Sequence, residues 1–79
     1  MKVENAVKEI LNKVLDVKPE EIQPDKSLEE SFGVDSTEMV EILIGLKKAL
    51  GVNIGDNELK KAHTFNEIVA ILKSKGALI

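Results

Sequence analysis

Apolar residues recur at steps of three and four in three separate stretches of this chain, and that spacing is the signature of amphipathic helices. The first stripe is Val3, Ala6, Val7, Ile10, Leu11, Val14 and Leu15, within a helix expected from Met1 to about Asp16. Lys2, Glu4, Lys8, Glu9, Asn12 and Lys13 fill its other face. The second stripe is Met39, Ile42, Leu43, Leu46 and Leu50; the third is Phe65, Ile68, Val69, Ile71 and Leu72. At 79 residues the chain lies near the lower size limit for a self-sufficient core. It has no cysteine, so neither disulfides nor a thiolate metal site can hold it. With no Trp or Tyr and two Phe, the core that joins these stripes is aliphatic.

The segments between the stripes are punctuated by helix starts and stops. Pro19 and Pro24 forbid a continuous helix across the long connection from Val17 to Phe32. Pro19-Glu20-Glu21-Ile22 reads as one helical turn with proline first, and Ser27 with Glu30 as a capping box opening another. Ile22, Leu28 and Phe32 are its expected anchors to the core. Gly51 ends the second major helix, and Val52 and Ile54 re-enter the core before Gly55. Residues 56–62 read as a short third helix, with Asp56 as N-cap and Leu59 and Ala62 as its buried pair. Thr64-x-x-Glu67 caps the last helix, Gly76 stops it, and Ala77-Leu78-Ile79 is an apolar tail that frays or folds back. Gly45 is costly inside a helix, by about 1 kcal/mol against alanine; a close helix contact or extra cavity space would each explain it. The fold expected is all-α: a single domain over residues 1–79, a small right-angled or up-down bundle of four helices with the third one short and a long loop between the first two.

Function concentrates at the start of the second major helix. Asp35 is a good N-cap, and Glu38 completes the Asp35-x-x-Glu38 box. Ser36 falls at the first helical position, directed to solvent at the positive end of the macrodipole, where an attached anion is favoured. Asp-Ser alone signals no more than a cap. No histidine base, nucleophile elbow or oxyanion signature accompanies Ser36, so it is a poor nucleophile and a good substrate hydroxyl for another enzyme. His63, the one histidine, has no metal-ligand or triad spacing and reads as a surface or loop-packing residue. No catalytic or metal site is expected. A net charge of -3 argues against a nucleic-acid binder. No apolar run approaches a membrane span, and no signal-peptide core is present, so a cytoplasmic address is expected.

Gly33-x-Asp35-Ser36, followed by Glu38, Val40, Glu41 and Ile42, resembles the modification site of the acyl carrier protein family, and the helix pattern extends that resemblance over nearly the whole chain. The resemblance implies a four-helix bundle of the acyl-carrier type, a monomer in which Ser36 carries 4'-phosphopantetheine through a phosphodiester. It implies that Asp35 helps hold the metal ion in the complex with a phosphopantetheinyl transferase. Glu38, Val40, Glu41 and Ile44 then form the docking surface for acyl-transfer and acyl-processing enzymes of fatty-acid or related lipid and polyketide synthesis. Val7, Leu46, Ile54, Ala62 and Ile68 are the candidates to line an interior acyl cleft. The chain departs from the family pattern at Thr37, where leucine is usual, and at Lys47 and Lys48, where acids are usual. Ala62 stands where a larger aliphatic residue is common. Two other readings are an aminoacyl (D-alanyl or peptidyl) carrier and an unmodified helical interaction module.

Overall fold

A computed structural model describes residues 2–55 and 57–76. Four α-helices follow one another: α1, Val3–Leu15; α2, Leu28–Phe32; α3, Ser36–Leu50; and α4, Phe65–Ser74. No strand occurs among the described residues. A single 3-10 turn, Pro19–Glu21, lies in the long first connection. The expected all-α bundle is the observed fold.

Packing centres on α1 against α3, with α4 closing the bundle on α1. Val3, Val7 and Leu11 of α1, Ile42 and Leu46 of α3, and Ile68 and Leu72 of α4 are buried in one aliphatic cluster with Leu28, Ile54 and Leu59. The connections thus contribute core residues of their own. Gly45 is a point of close contact between α3 and α1, since a β-carbon built there would meet the Ile10 side chain. Of the two explanations open at the sequence level, the close contact is the one found.

The helix ends follow from local chemistry. Thr64 and Glu67 form a reciprocal box: the Glu67 N–H donates to Thr64 Oγ1 at 3.0 Å and the Thr64 N–H to Glu67 Oε1 at 2.8 Å. Gly51 closes α3 at φ 64°, the left-handed conformation that a missing side chain permits. α1 starts at Val3 and ends on Asp16 at φ 56°, a left-handed cap by a residue whose short polar side chain tolerates it. At Ser27 the box is not reciprocal. Its hydroxyl accepts from the Glu30 N–H and donates to Glu30 Oε1, so no carboxylate returns to its own N–H.

The principal correction concerns residues 56–62. The described part, 57–62, consists of turns, not a helix. Six residues are too few to repay helix nucleation without tertiary help, and here other partners take the backbone groups. The Lys60 N–H donates to His63 Nδ1 at 2.9 Å, and the His63 N–H turns back to the Lys60 carbonyl. The Leu28 N–H donates to the His63 carbonyl and the Glu29 N–H to that of Lys61, which stitches the turns to the start of α2. A lone antiparallel bridge, Ser27 to Thr64, brings the N-caps of α2 and α4 side by side. The short helix of the fold is therefore α2. Leu59 is buried, but Ala62 is exposed, so they are not a buried pair. Asp56 as a cap and the tail 77–79 lie outside the described residues.

Candidate functional site

Ser36 is the first residue of α3 and is exposed. Its position is set by the cap before it. The Glu38 N–H donates to Asp35 Oδ1 at 2.8 Å, and the Asp35 N–H donates to Glu38 Oε1 at 3.1 Å. Both bonds use orphan donors of the helix start and hold the acids beside Ser36 without engaging its hydroxyl. Val34, buried directly upstream, and Met39, buried downstream, pin the turn on both sides. Gly33 at φ 65° ends α2 and redirects the chain into the α3 cap within three residues. The result is a hydroxyl with no hydrogen-bond partner among the described residues, at the positive end of a 15-residue helix.

Ser36 borders a cavity of about 370 Å³ between α3 and the turns at 57–62. Met39, Val40, Leu43, Leu59 and Ala62 supply its apolar lining, with Glu29, Lys60 and Lys61 as the polar remainder. Lys61 Nζ lies 3.0 Å from Glu29 Oε2, which joins α2 to the turns across one side. Of the residues expected to form an acyl cleft, only Ala62 lines this cavity. Val7, Leu46, Ile54 and Ile68 are packed in the core cluster and do not reach it. Met39 and Leu43 carried a usable signal: from Ser36 they follow at steps of three and four and so share its side of the helix. Lys60, Lys61 and Glu29 carried none, because a contact between separate segments brings them together.

The four expected docking residues fall on the outer part of α3. Val40 and Ile44 are 48% and 47% exposed, Glu41 is exposed and Glu38 is half-buried. His63 acts within the loop, accepting from Lys60 through its ring and from Leu28 through its carbonyl. No group of three or more His, Cys, Asp or Glu residues that could hold a metal occurs among the described residues. Nor is any described helix long and apolar enough to cross a membrane.

A small helical bundle that displays one unpaired serine at a capped helix start, beside an apolar cavity, is a scaffold for a tethered group. Residues 5–72 match the family model described as the phosphopantetheine attachment site, and the chain belongs to that family. It is 29% identical over 75 residues to an acyl carrier protein of Nitratidesulfovibrio vulgaris strain Miyazaki F, covering 95% of this chain and 99% of that one. It is 34% identical over 71 residues to an acyl carrier protein of Thermosynechococcus vestitus, covering 90% and 88%. A meromycolate extension acyl carrier protein of Mycobacterium bovis is 34% identical over 67 residues, covering 85% of this chain and 58% of that one. The cofactor of this family is covalently attached 4'-phosphopantetheine. The residues present fit it: the Ser36 hydroxyl is exposed and unpaired, and the adjoining cavity is mainly apolar.

Proposed function

We propose that Ser36 is the attachment point and that the chain carries acyl groups as thioesters on the arm. The observation that carries this reading is the exposed Ser36 hydroxyl at the capped start of α3, inside the span matched by the attachment-site family. The chain supplies the acceptor hydroxyl, and a separate phosphopantetheinyl transferase supplies the catalysis, with coenzyme A as donor. The chain acts as a carrier whose chemistry is done by other enzymes: Ser36 has capping carboxylates beside it but is not paired with a histidine, and a serine of that kind is a substrate hydroxyl for another protein's active site. Asp35 keeps one carboxylate oxygen on the Glu38 N–H, which leaves its other oxygen for the metal ion of the transfer complex. The arm, when bound, supplies the thiol that this cysteine-free chain lacks.

The positive end of α3 stabilises a phosphodiester at Ser36. Met39, Leu43, Leu59 and Ala62 shelter an apolar acyl group from water, and their character supports an acyl over an aminoacyl cargo. Val7, Leu46, Ile54 and Ile68 stand behind that wall as the deeper part of the cleft, reached only when the core opens. Glu38, Val40, Glu41 and Ile44 receive the acyl-transfer and acyl-processing enzymes. The chain works as a monomeric carrier domain, residues 1–79, in the cytoplasm where coenzyme A is available. Incubation with coenzyme A and a broad-specificity phosphopantetheinyl transferase tests the reading. The expected result is the mass gain of one arm, lost in Ser36→Ala; an unmodified wild-type chain overturns it.

A further inference from the structure

The exposed apolar pair on α3 is set in a stripe of defined charge order. Thr37, Val40, Ile44 and Lys48 step by three and four along the outer side of the helix, opposite buried Ile42 and Leu46. Glu38 and Glu41 flank the end near Ser36, and Lys47 and Lys48 flank the other. Glu41 and Lys48 are seven residues apart, about 10 Å along the axis at 1.5 Å per residue. The helix dipole accounts for the acid in the first turn and the lysines in the last. It does not account for Glu41, which lies beyond the first turn. Neither Glu41, Lys47 nor Lys48 forms an ion pair with another described residue. Opposite charges left unspent at the two ends of an exposed apolar pair match a surface of the reverse order.

We infer that the enzyme docking on α3 offers an apolar socket for Val40 and Ile44, with a basic margin facing Glu38 and Glu41 and an acidic margin facing Lys47 and Lys48. This rests on the carrier reading and narrows it to a partner of bipolar rim. A uniformly basic rim would set like charge against both lysines. A second copy of the chain, run antiparallel, also pairs Glu41 with Lys48. Yet two half-exposed side chains fall far short of the roughly 800 Å² per partner of a standard interface. An enzyme makes up the difference because it also takes Ser36 and the arm into its active site.

The test titrates the isotope-labelled Ser36→Ala chain with the source organism's phosphopantetheinyl transferase, so that docking is read without modification. Amide shifts are expected along residues 37–48. Glu41→Lys and Lys48→Glu should each weaken binding about tenfold in low salt, with the difference shrinking as salt screens the margins. Thermal melts confirm that both variants fold. The inference is overturned if Lys48→Glu binds as well or better, if α3 shows no shifts, or if the shifts arise from concentrating the chain alone. Should the wild type gain no arm while docking still depends on Lys48, the carrier reading fails and the bipolar partner stands. Should the arm be gained while Lys48→Glu changes nothing, the reverse holds.

Discussion

Ile10 fills the space that a side chain at position 45 would need: a β-carbon on Gly45 would lie 2.9 Å from Ile10 Cδ1 and 3.1 Å from Ile10 Cγ2. Two effects oppose each other in Gly45→Ala. Helix propensity favours alanine by about 1 kcal/mol, whereas overpacking costs about 1–3 kcal/mol. Cδ1 can swing aside about χ2, but Cγ2 moves only with χ1, which a β-branched residue in a helix holds close to one rotamer, or with a shift of α1 itself. The net expected is a loss of about 1 kcal/mol in denaturant unfolding. Ile10→Val removes Cδ1, so the double variant should lose less than the two single losses combined.

Cap and chemistry can be separated at Asp35. Asp35→Ala removes the acceptor for the Glu38 N–H and should cost about 1 kcal/mol of stability. Asp35→Asn keeps an amide oxygen for that bond and should cost little, because asparagine caps about as well as aspartate. If Asp35 also serves the transfer complex through its charge, Asp35→Asn slows arm attachment while its melting curve stays near that of the wild type. Equal rates for both proteins would confine Asp35 to capping.

The three long helices were legible from their apolar stripes. α1 has no side-chain cap and begins at Val3, two residues after the expected Met1. In α3 and α4 the Asp35 and Thr64 boxes also mark the start to the residue. Those are local interactions, and sequence carries them. The turns at 57–62 were not legible, since a segment that short gains little from helix formation by itself and is decided by its tertiary partners. The choice is made by the His63 ring on the Lys60 N–H and by α2 amides on distant carbonyls. Ala62 was misplaced for the same reason: a helix there would have turned it inward. Helical phase and capping chemistry put Asp35 at the cap and Ser36 at the first turn of α3, but it was the resemblance to the acyl carrier family that singled out Ser36 and the exposed pair Val40 and Ile44. The cavity was not legible, because half of its wall comes from segments far away in sequence.

Glu58 ties the same turns to the end of α4 through its ion pair with Lys75. The hydrogen bond from Lys75 lowers the Glu58 pKa below its ordinary 4.5, outweighing the opposing effect of partial burial. A carboxylate depressed in the folded state contributes stability above its unfolded pKa and loses it as pH falls through the folded one. The turns should therefore loosen below about the ordinary carboxylate range, with α3 intact. Glu58→Gln should flatten that part of the acid response. Amide exchange at Leu59 and Lys60 across pH 3 to 7 (roughly the carboxylate range and above) measures it, and an unchanged profile in the variant would refute the coupling.

Where the cargo goes is decided by the cost of making room. Val7, Leu46 and Ile68 are fully buried and Ile54 nearly so, in a core with its one glycine gap already filled by Ile10. Opening such a core forfeits close packing on every side of the new space. The cavity beside Ser36 already exists, and Met39, Leu43, Leu59 and Ala62 would gain apolar contact by being covered. An octanoyl chain on the arm should thus shift the methyl resonances of Met39, Leu43, Leu59 and Ala62 and leave those of Val7 and Ile68 in place. Ala62→Phe, at an exposed position that tolerates bulk, should fill the cavity, abolish the shifts and expose the thioester to hydroxylamine. Shifts centred on Val7 and Ile68 would instead mean that the core opens to admit the chain, and that the cavity is only its entrance.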